Sequence, residues 1–270
     1  MIDARLQVAL SGGGLDLPSD GRGVVFYPPV EADLQGIDPE NCVIIHDFKP
    51  FHDAWLARGY TTLNAPAGHY DAAVVCLPRA KADARAVIAE ACAISQGIVV
   101  IDGQKTDGAD SFLKTMKTRV TVQGPVTKAH GKMFWITEPA ADFFADWAQG
   151  PALTDGGFWT APGVFSADGI DLASALLVDA LPDKMDGRVV DLGAGWGFLS
   201  AHVLTRPAVE EVHLVEAGHL ALECARRNVT DQRAQFHWAD ATNWSLPGPV
   251  DAVVMDPPGL QGRATGPQLG

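Results

Sequence analysis

Val189-Val190-Asp191-Leu192-Gly193-Ala194-Gly195-Trp196-Gly197-Phe198-Leu199 is an apolar strand running into a glycine-rich turn that opens a helix. Strand, tight turn and helix in that order make the first unit of an open α/β sheet, whose ligand lies at the carboxyl edge of the strands. Gly193, Gly195 and Gly197 stand two residues apart. A pyrophosphate on a helix N-terminus wants G-x-G-x-x-G, so the third glycine falls one place early for a dinucleotide. What such a turn offers instead is close backbone approach, which residues without a Cβ allow. A strand-to-helix turn with no ligand is the competing reading.

The stretches that follow favour a ligand. Val212-His213-Leu214-Val215 reads as a second buried strand and ends in Glu216, a little over twenty residues past Gly193, where an acid can accept both hydroxyls of a ribose. A helix over Leu220–Asn228 leads to a third strand around Gln235–Trp238, followed by Asp240. The fourth strand, Asp251-Ala252-Val253-Val254-Met255, runs into Asp256-Pro257-Pro258-Gly259. One carboxylate at a strand end is ordinary, since Asp and Glu favour loops and helix starts. Asp-Pro-Pro alone is equally ordinary turn chemistry. Acids after three successive strands, in the order of an open sheet, are harder to assign to chance.

Asp191-x-Gly193-x-Gly195-x-Gly197 resembles motif I of the class I S-adenosylmethionine (SAM) methyltransferases, and Asp256-Pro257-Pro258 resembles motif IV of those that act on amino groups. Together with Pro162-Gly163-Val164-Phe165-Ser166-Ala167-Asp168-Gly169-Ile170-Asp171, the chain up to Asp256 resembles the ribosomal small-subunit RNA methyltransferase C family. The resemblance implies a cofactor, SAM, held by Asp191, Gly193, Ala194, Gly195, Gly197, Glu216 and Asp240, the last at the adenine amino group. It implies transfer of a methyl group to the exocyclic N2 of a guanine in small-subunit rRNA. Asp256, Pro257 and Pro258 would present a side-chain oxygen and a backbone carbonyl to the amine. Catalysis would be positioning and electrostatics, with no covalent intermediate.

Two departures stand out. The family's motif ends in an aromatic residue that stacks on the base, but here Gly259 occupies that place and no aromatic residue follows it. The platform is then missing unless Trp159, Phe165 or an N-terminal residue supplies it; losing about 2 kcal/mol of placement would cost roughly thirtyfold in rate. The chain also stops fifteen residues after the fourth strand, in a glycine-rich tail from Gln261 to Gly270. The expectation is a C-terminal domain lacking its last strands, from a truncated or altered longer protein.

The N-terminal half alternates in the same way. Gly23–Tyr27, Val43–His46, Asp71–Cys76 and Gly97–Asp102 read as strands, with helices over Phe51–Arg58 and Lys81–Ala93. Asp71-Ala72-Ala73-Val74-Val75-Cys76-Leu77-Pro78 echoes Asp251 to Pro258, which implies a duplicated methyltransferase-like fold. Pro28-Pro29, not a glycine turn, follows the first strand, so this copy is not expected to bind SAM. The expected architecture is α/β with two tandem Rossmann-like domains. Residues 1–150 form a degenerate copy with a role in RNA binding, and residues 158–270 form the incomplete SAM-binding domain, the boundary falling between Gly150 and Gly157.

At 270 residues and 47% apolar content the chain can build two cores. No apolar run approaches the roughly 20 residues of a membrane span, and a cytoplasmic protein is expected. Cys42, Cys76, Cys92 and Cys224 sit in apolar stretches without CxxC spacing and read as reduced core residues; the histidines show no metal-ligand spacing. A net charge of −13 opposes indiscriminate nucleic-acid binding. Lys105, Lys114, Lys117, Arg119, Lys128, His130 and Lys132 nonetheless cluster in the N-terminal half, whereas the C-terminal half holds one lysine, Lys184. That cluster is the candidate contact with rRNA, free or in an assembling small subunit, and a solvated face is its alternative. Two other functions remain open: methylation of another amino group, such as DNA adenine or protein glutamine, and a non-catalytic SAM- or RNA-binding remnant.

Overall fold

The computed structural model describes residues 2–34 and 36–256. It divides into two compact units: Met1–Ala152 with Ala161–Gly163 and Gly218–Leu220, and Leu153–Thr160 with Val164–Ala217 and Ala221–Gly270.

The first unit runs α1 (Ile2–Gly12), β1 (Gly23–Phe26), β2 (Cys42–Ile45), α2 (Lys49–Ala57), β3 (Thr61–Leu63), β4 (Tyr70–Cys76), α3 (Lys81–Ile94), β5 (Ser95–Gln104), α4 (Ala109–Lys117), β6 (Gln123–Lys128) and β7 (Gly131–Thr137). Its seven strands are ordered β3-β2-β1-β4-β5-β7-β6. The first five are parallel, and β7 runs antiparallel between β5 and β6. Parallel strands covered on both faces read as unbroken apolar runs, and all four residues of β2 are buried. Alternate residues feed two cores: Val24, Val75 and Ile101 on one face, Val25, Val74 and Val100 on the other. Helix α3 buries Ala84, Val87, Ile88, Ala91 and Cys92, the spacing of one helical face.

The four strands and two helices expected here are present, with ends shifted by a few residues. The β6–β7 hairpin was not expected. Its turn is Ala129-His130 with φ of 49° and 57°, a two-residue turn with both φ positive built without the usual Asn-Gly signal.

The second unit holds a short β8 (Ala152–Leu153) and β9 (Trp159–Thr160) ladder, then α5 (Leu172–Ala180), β10 (Gly187–Leu192), α6 (Phe198–Val203), β11 (Val209–Glu216), α7 (His219–Asn228), β12 (Ala234–Trp238) and β13 (Ala252–Met255). Its parallel sheet is ordered β12-β11-β10-β13, the same arrangement as β3-β2-β1-β4. The strands from Asp71 and Asp251 therefore occupy equivalent places, and the repeat expected from their sequences exists as shared topology. The architecture is α/β with two Rossmann-like sheets. Val189, Val212, Leu214 and Val254 pack one face of the second sheet against α6 and α7 through Val203, Leu222 and Ala225.

The expected loss of closing strands concerns residues 257–270, which lie outside the described residues, as do Pro257, Pro258 and Gly259. Among the described residues no helix is long and apolar enough to cross a membrane, and all four cysteines are buried and unbridged.

Candidate active site

Strand β10 delivers Asp191 and the glycine turn to the carboxyl edge of the second sheet. The amides of Gly193 and Ala194 donate to Val215 O at 2.8 and 3.1 Å, and Gly195 N donates to Glu216 Oε2 at 2.8 Å. The turn is thus tied to the end of β11, and the expected ribose carboxylate is joined to it directly. The three glycines have φ of 72°, 55° and 87° but serve different purposes. A Cβ on Gly193 or Gly195 would meet nothing within 4 Å, so the space beside that backbone is open to a ligand. A Cβ on Gly197 would lie 2.9 Å from Val229 Cγ2 and 3.2 Å from Ala225 Cβ; this glycine lets the start of α6 pack on α7.

Asp191 is wholly buried. Ser200 Oγ donates to its Oδ2 at 2.6 Å, while Oδ1 has no hydrogen-bond partner among the described residues. Burial pushes its pKa up to about 7 against the opposing Ser200 hydrogen bond, and the charges of Glu216 and Asp256 add to the rise. An orphaned buried acceptor costs free energy unless something donates to it. A nucleoside ligand carrying an ammonium group suits this acceptor and the bare backbone beside it, and SAM is such a ligand. Asp191, Gly193, Ala194, Gly195 and Glu216 are the residues that would hold it.

Pairing of Asp191 with Val254 and of Leu192 with Met255 sets Asp256, one residue further on, beside the glycine turn. Ser174 Oγ, from α5, donates to Asp256 Oδ2 at 2.5 Å. Phe165, Ser174, Gly193, Ala194, Gly195 and Asp256 line a single recess. The indole N–H of Trp196 donates to Phe165 O at 3.0 Å and holds the Phe165 segment against the turn. Of the two aromatic candidates in this unit, Phe165 lies in the recess with its side chain half exposed, whereas Trp159 sits under the Arg227 guanidinium at 5.0 Å.

Asp240 is placed differently from the other acids. Its carboxylate accepts from Thr242 N at 2.9 Å, Thr242 Oγ1 at 2.7 Å and Asn243 Nδ2 at 2.9 Å, and these bonds hold its pKa below the usual carboxylate range. It lies in its own turn after β12 and does not line the recess.

The basic cluster divides as well. Arg119 is paired with Asp146, and Lys132 with Asp110 at 2.5 Å. Lys105, Lys114, Lys117 and Lys128 are exposed, and none of them has an ion-pair partner among the described residues.

Four residues of the site escaped the sequence reasoning. Ser174 and Ser200 are single hydroxyls whose partners lie 82 and 9 residues away. Trp196 sits inside the glycine motif but acts through its indole. Asn228, at the end of α7, donates to Trp159 O and Trp196 O at 2.9 and 2.7 Å and accepts from Trp159 N at 2.7 Å. A helix-terminal Asn carries no signal in sequence for such a clamp.

Comparison with known proteins agrees with this fold. The methyltransferase small domain family model matches residues 155–270. A protein of Hahella chejuensis named ribosomal RNA small subunit methyltransferase C is 28% identical over 266 residues, which cover 90% of this chain and 76% of that protein. Its namesake in Psychromonas ingrahamii is 26% identical, over 73% of this chain and 59% of its own length. The Aeromonas hydrophila namesake is 27% identical, over 74% and 61%. The chain thus spans about three quarters of the first relative and about three fifths of the other two. In fold it is similar to the T. thermophilus 16S rRNA N2 G1207 methyltransferase, solved in complex with AdoMet and guanosine, with a TM-score of 0.73 at 22% identity, covering 97% of this chain and 76% of that one. The chain is thus similar in sequence to proteins named ribosomal RNA small subunit methyltransferase C, its residues 155–270 match the methyltransferase small domain, and its fold is that of a Rossmann-like methyltransferase.

Proposed function

We propose that this protein transfers a methyl group from SAM to the exocyclic N2 of a guanine in small-subunit rRNA. The observation that carries the proposal is the convergence, at one sheet edge, of a glycine turn with open space beside it, a buried carboxylate with an orphaned oxygen, and Asp256 at the next strand end. When bound, SAM supplies a sulfonium methyl group, an electrophile suited to an amine.

The chain's own residues do the rest. Asp256 accepts a hydrogen bond from the exocyclic amine, orients its lone pair and stands ready to take the proton that the amine sheds as the new N–C bond forms. Phe165 supplies the apolar face on which the base rests, in place of the motif aromatic replaced by Gly259. The first unit, which has Tyr27 and Pro28-Pro29 where the turn would be, contributes RNA contacts through the exposed lysines near the β6–β7 hairpin and α4.

Two measurements test the reading. Calorimetry should show SAM and S-adenosylhomocysteine binding that Asp191→Ala and Glu216→Ala abolish; unchanged affinity would make the turn purely structural. Asp256→Ala should keep SAM binding and lose methyl transfer to small-subunit rRNA by a hundredfold or more, about 3 kcal/mol. An active variant would remove Asp256 from the chemistry.

A further inference from the structure

We infer that Ser174 is a positioning residue for the target amine: its hydroxyl pins one oxygen of Asp256 so that the other is presented to the exocyclic N–H. The inference rests on the function proposed above.

A free carboxylate turns about its last bond, and its two oxygens are equivalent until something distinguishes them. Ser174 does so from another element. Asp171 caps α5 by accepting from Ala173 N and Ser174 N at 2.8 and 3.2 Å, which fixes the first turn of the helix. From that turn the Ser174 hydroxyl reaches across 82 residues of sequence to Asp256 Oδ2. Ser174 also lines the recess that Asp256 shares with the glycine turn. The remaining charges nearby are carboxylates: Asp191 on β10, which feels Asp256, and Glu216 at the end of β11, which acts on Asp191. Among the described residues Ser174 is the only side chain donating to Asp256. A serine hydroxyl has one proton, and spending it on Oδ2 leaves Oδ1, the oxygen Asp256 presents, with both its lone pairs free to accept. A group that only accepts favours an amine over a carbonyl at the same place, which distinguishes the 2-amino edge of guanine from purines without that group.

The discriminating experiment is calorimetric and requires no turnover. Guanosine and inosine, which differ in the 2-amino group, are titrated into the S-adenosylhomocysteine-bound full chain, its Ser174→Ala variant and its Ser174→Thr variant. The wild type should prefer guanosine by about tenfold or more, the scale of one hydrogen bond to a charged group. Ser174→Ala should bring the ratio of the two affinities close to one while leaving S-adenosylhomocysteine affinity within twofold, and Ser174→Thr should restore the preference. In the same series, kcat for methyl transfer should fall about tenfold in Ser174→Ala at unchanged KM for SAM. A general loosening of α5 would weaken both nucleosides alike and spare their ratio, which would overturn the inference. A ratio that stays at the wild-type value in Ser174→Ala would also overturn it, and Asp256 would then need no such partner. A wild type that does not discriminate would remove the Asp256–amine contact itself, and the inference with it.

Discussion

Asp191 carries the clearest electrostatic strain at the residue scale. Its folded pKa of about 7 lies above the ordinary carboxylate value, so between roughly pH 4 and pH 7 the folded protein retains a proton that the unfolded chain has released. The contribution of Asp191 to stability therefore falls as pH rises through that window and is level above it. Asp191→Asn keeps the shape and an acceptor for Ser200 but removes the charge. Its Tm advantage over wild type should be absent near pH 4, grow up to pH 7 and then stay constant. Thermal melts across that range check the sign, and an advantage that shrinks with pH would refute the assignment. The variant should bind SAM more weakly, because the orphaned oxygen loses its charge. Phe165 gives a second prediction. If its ring is the base platform, Phe165→Ala should lower kcat/KM on rRNA roughly thirtyfold, about 2 kcal/mol of stacking, while Phe165→Tyr stays close to wild type. Equal losses in both variants would point to a role for the chain around Trp196 instead of the ring.

Within the glycine turn, at the scale of the element, one spacing serves two physical needs. Gly193 faces open space and Gly197 faces α7, so the same substitution should separate binding from folding. Gly193→Ala meets only the left-handed backbone penalty, about 1–2 kcal/mol, and puts a methyl group where the cofactor would lie. It should remain folded and lose SAM binding. Gly197→Ala adds contacts at 2.9 and 3.2 Å with Val229 and Ala225, an overpacking of about 1–3 kcal/mol more. Its main effect should be a lower Tm. Thermal unfolding and calorimetry on the pair would show the split; a large SAM-binding loss in Gly197→Ala without a stability loss would contradict it. A parallel case lies in the first unit, where α1 is fastened to β5 by the buried Arg5 fork on Asp102, at 2.5 and 2.8 Å, with a further bond to Lys128 O at 3.0 Å. Arg5→Ala would strand a buried carboxylate and should destabilise that unit by about 3–5 kcal/mol in urea melts.

For the whole molecule, a charge of −13 must be reconciled with the polyanionic substrate proposed above. Local distribution resolves it: exposed lysines gather on the first unit, while two of the basic residues read as contacts are already neutralised by Asp146 and Asp110. Replacing Lys114, Lys117 and Lys128 together by Ala should weaken rRNA binding and reduce the slope of log K against log salt by about 2, from roughly 0.7 per phosphate contact on single strands. Affinity for SAM should not change. Replacing Arg119 should affect the slope less, because its guanidinium is engaged with Asp146 and lies over the Phe144 and Trp147 rings. Filter binding over a salt series measures both.

The α/β character and the succession of strands along the chain were present in local patterns, as was the glycine turn of the candidate site. Unbroken apolar runs mark buried parallel strands, and glycines two apart mark a turn that approaches its ligand, because each depends on residues adjacent in sequence. The repeat was visible for the same reason, from Asp71 to Pro78 and from Asp251 to Pro258. What only the tertiary structure decided were relations between distant residues. Ser174 meeting Asp256, Gly197 packing on α7, Asp240 closing its own turn and Asn228 clamping two tryptophan carbonyls all depend on where the sheet edge and the helix ends come together. The β6–β7 hairpin was hidden because Ala129 and His130 hold positive φ against their own preference, a cost repaid by ladder pairing with β7 that no local pattern records.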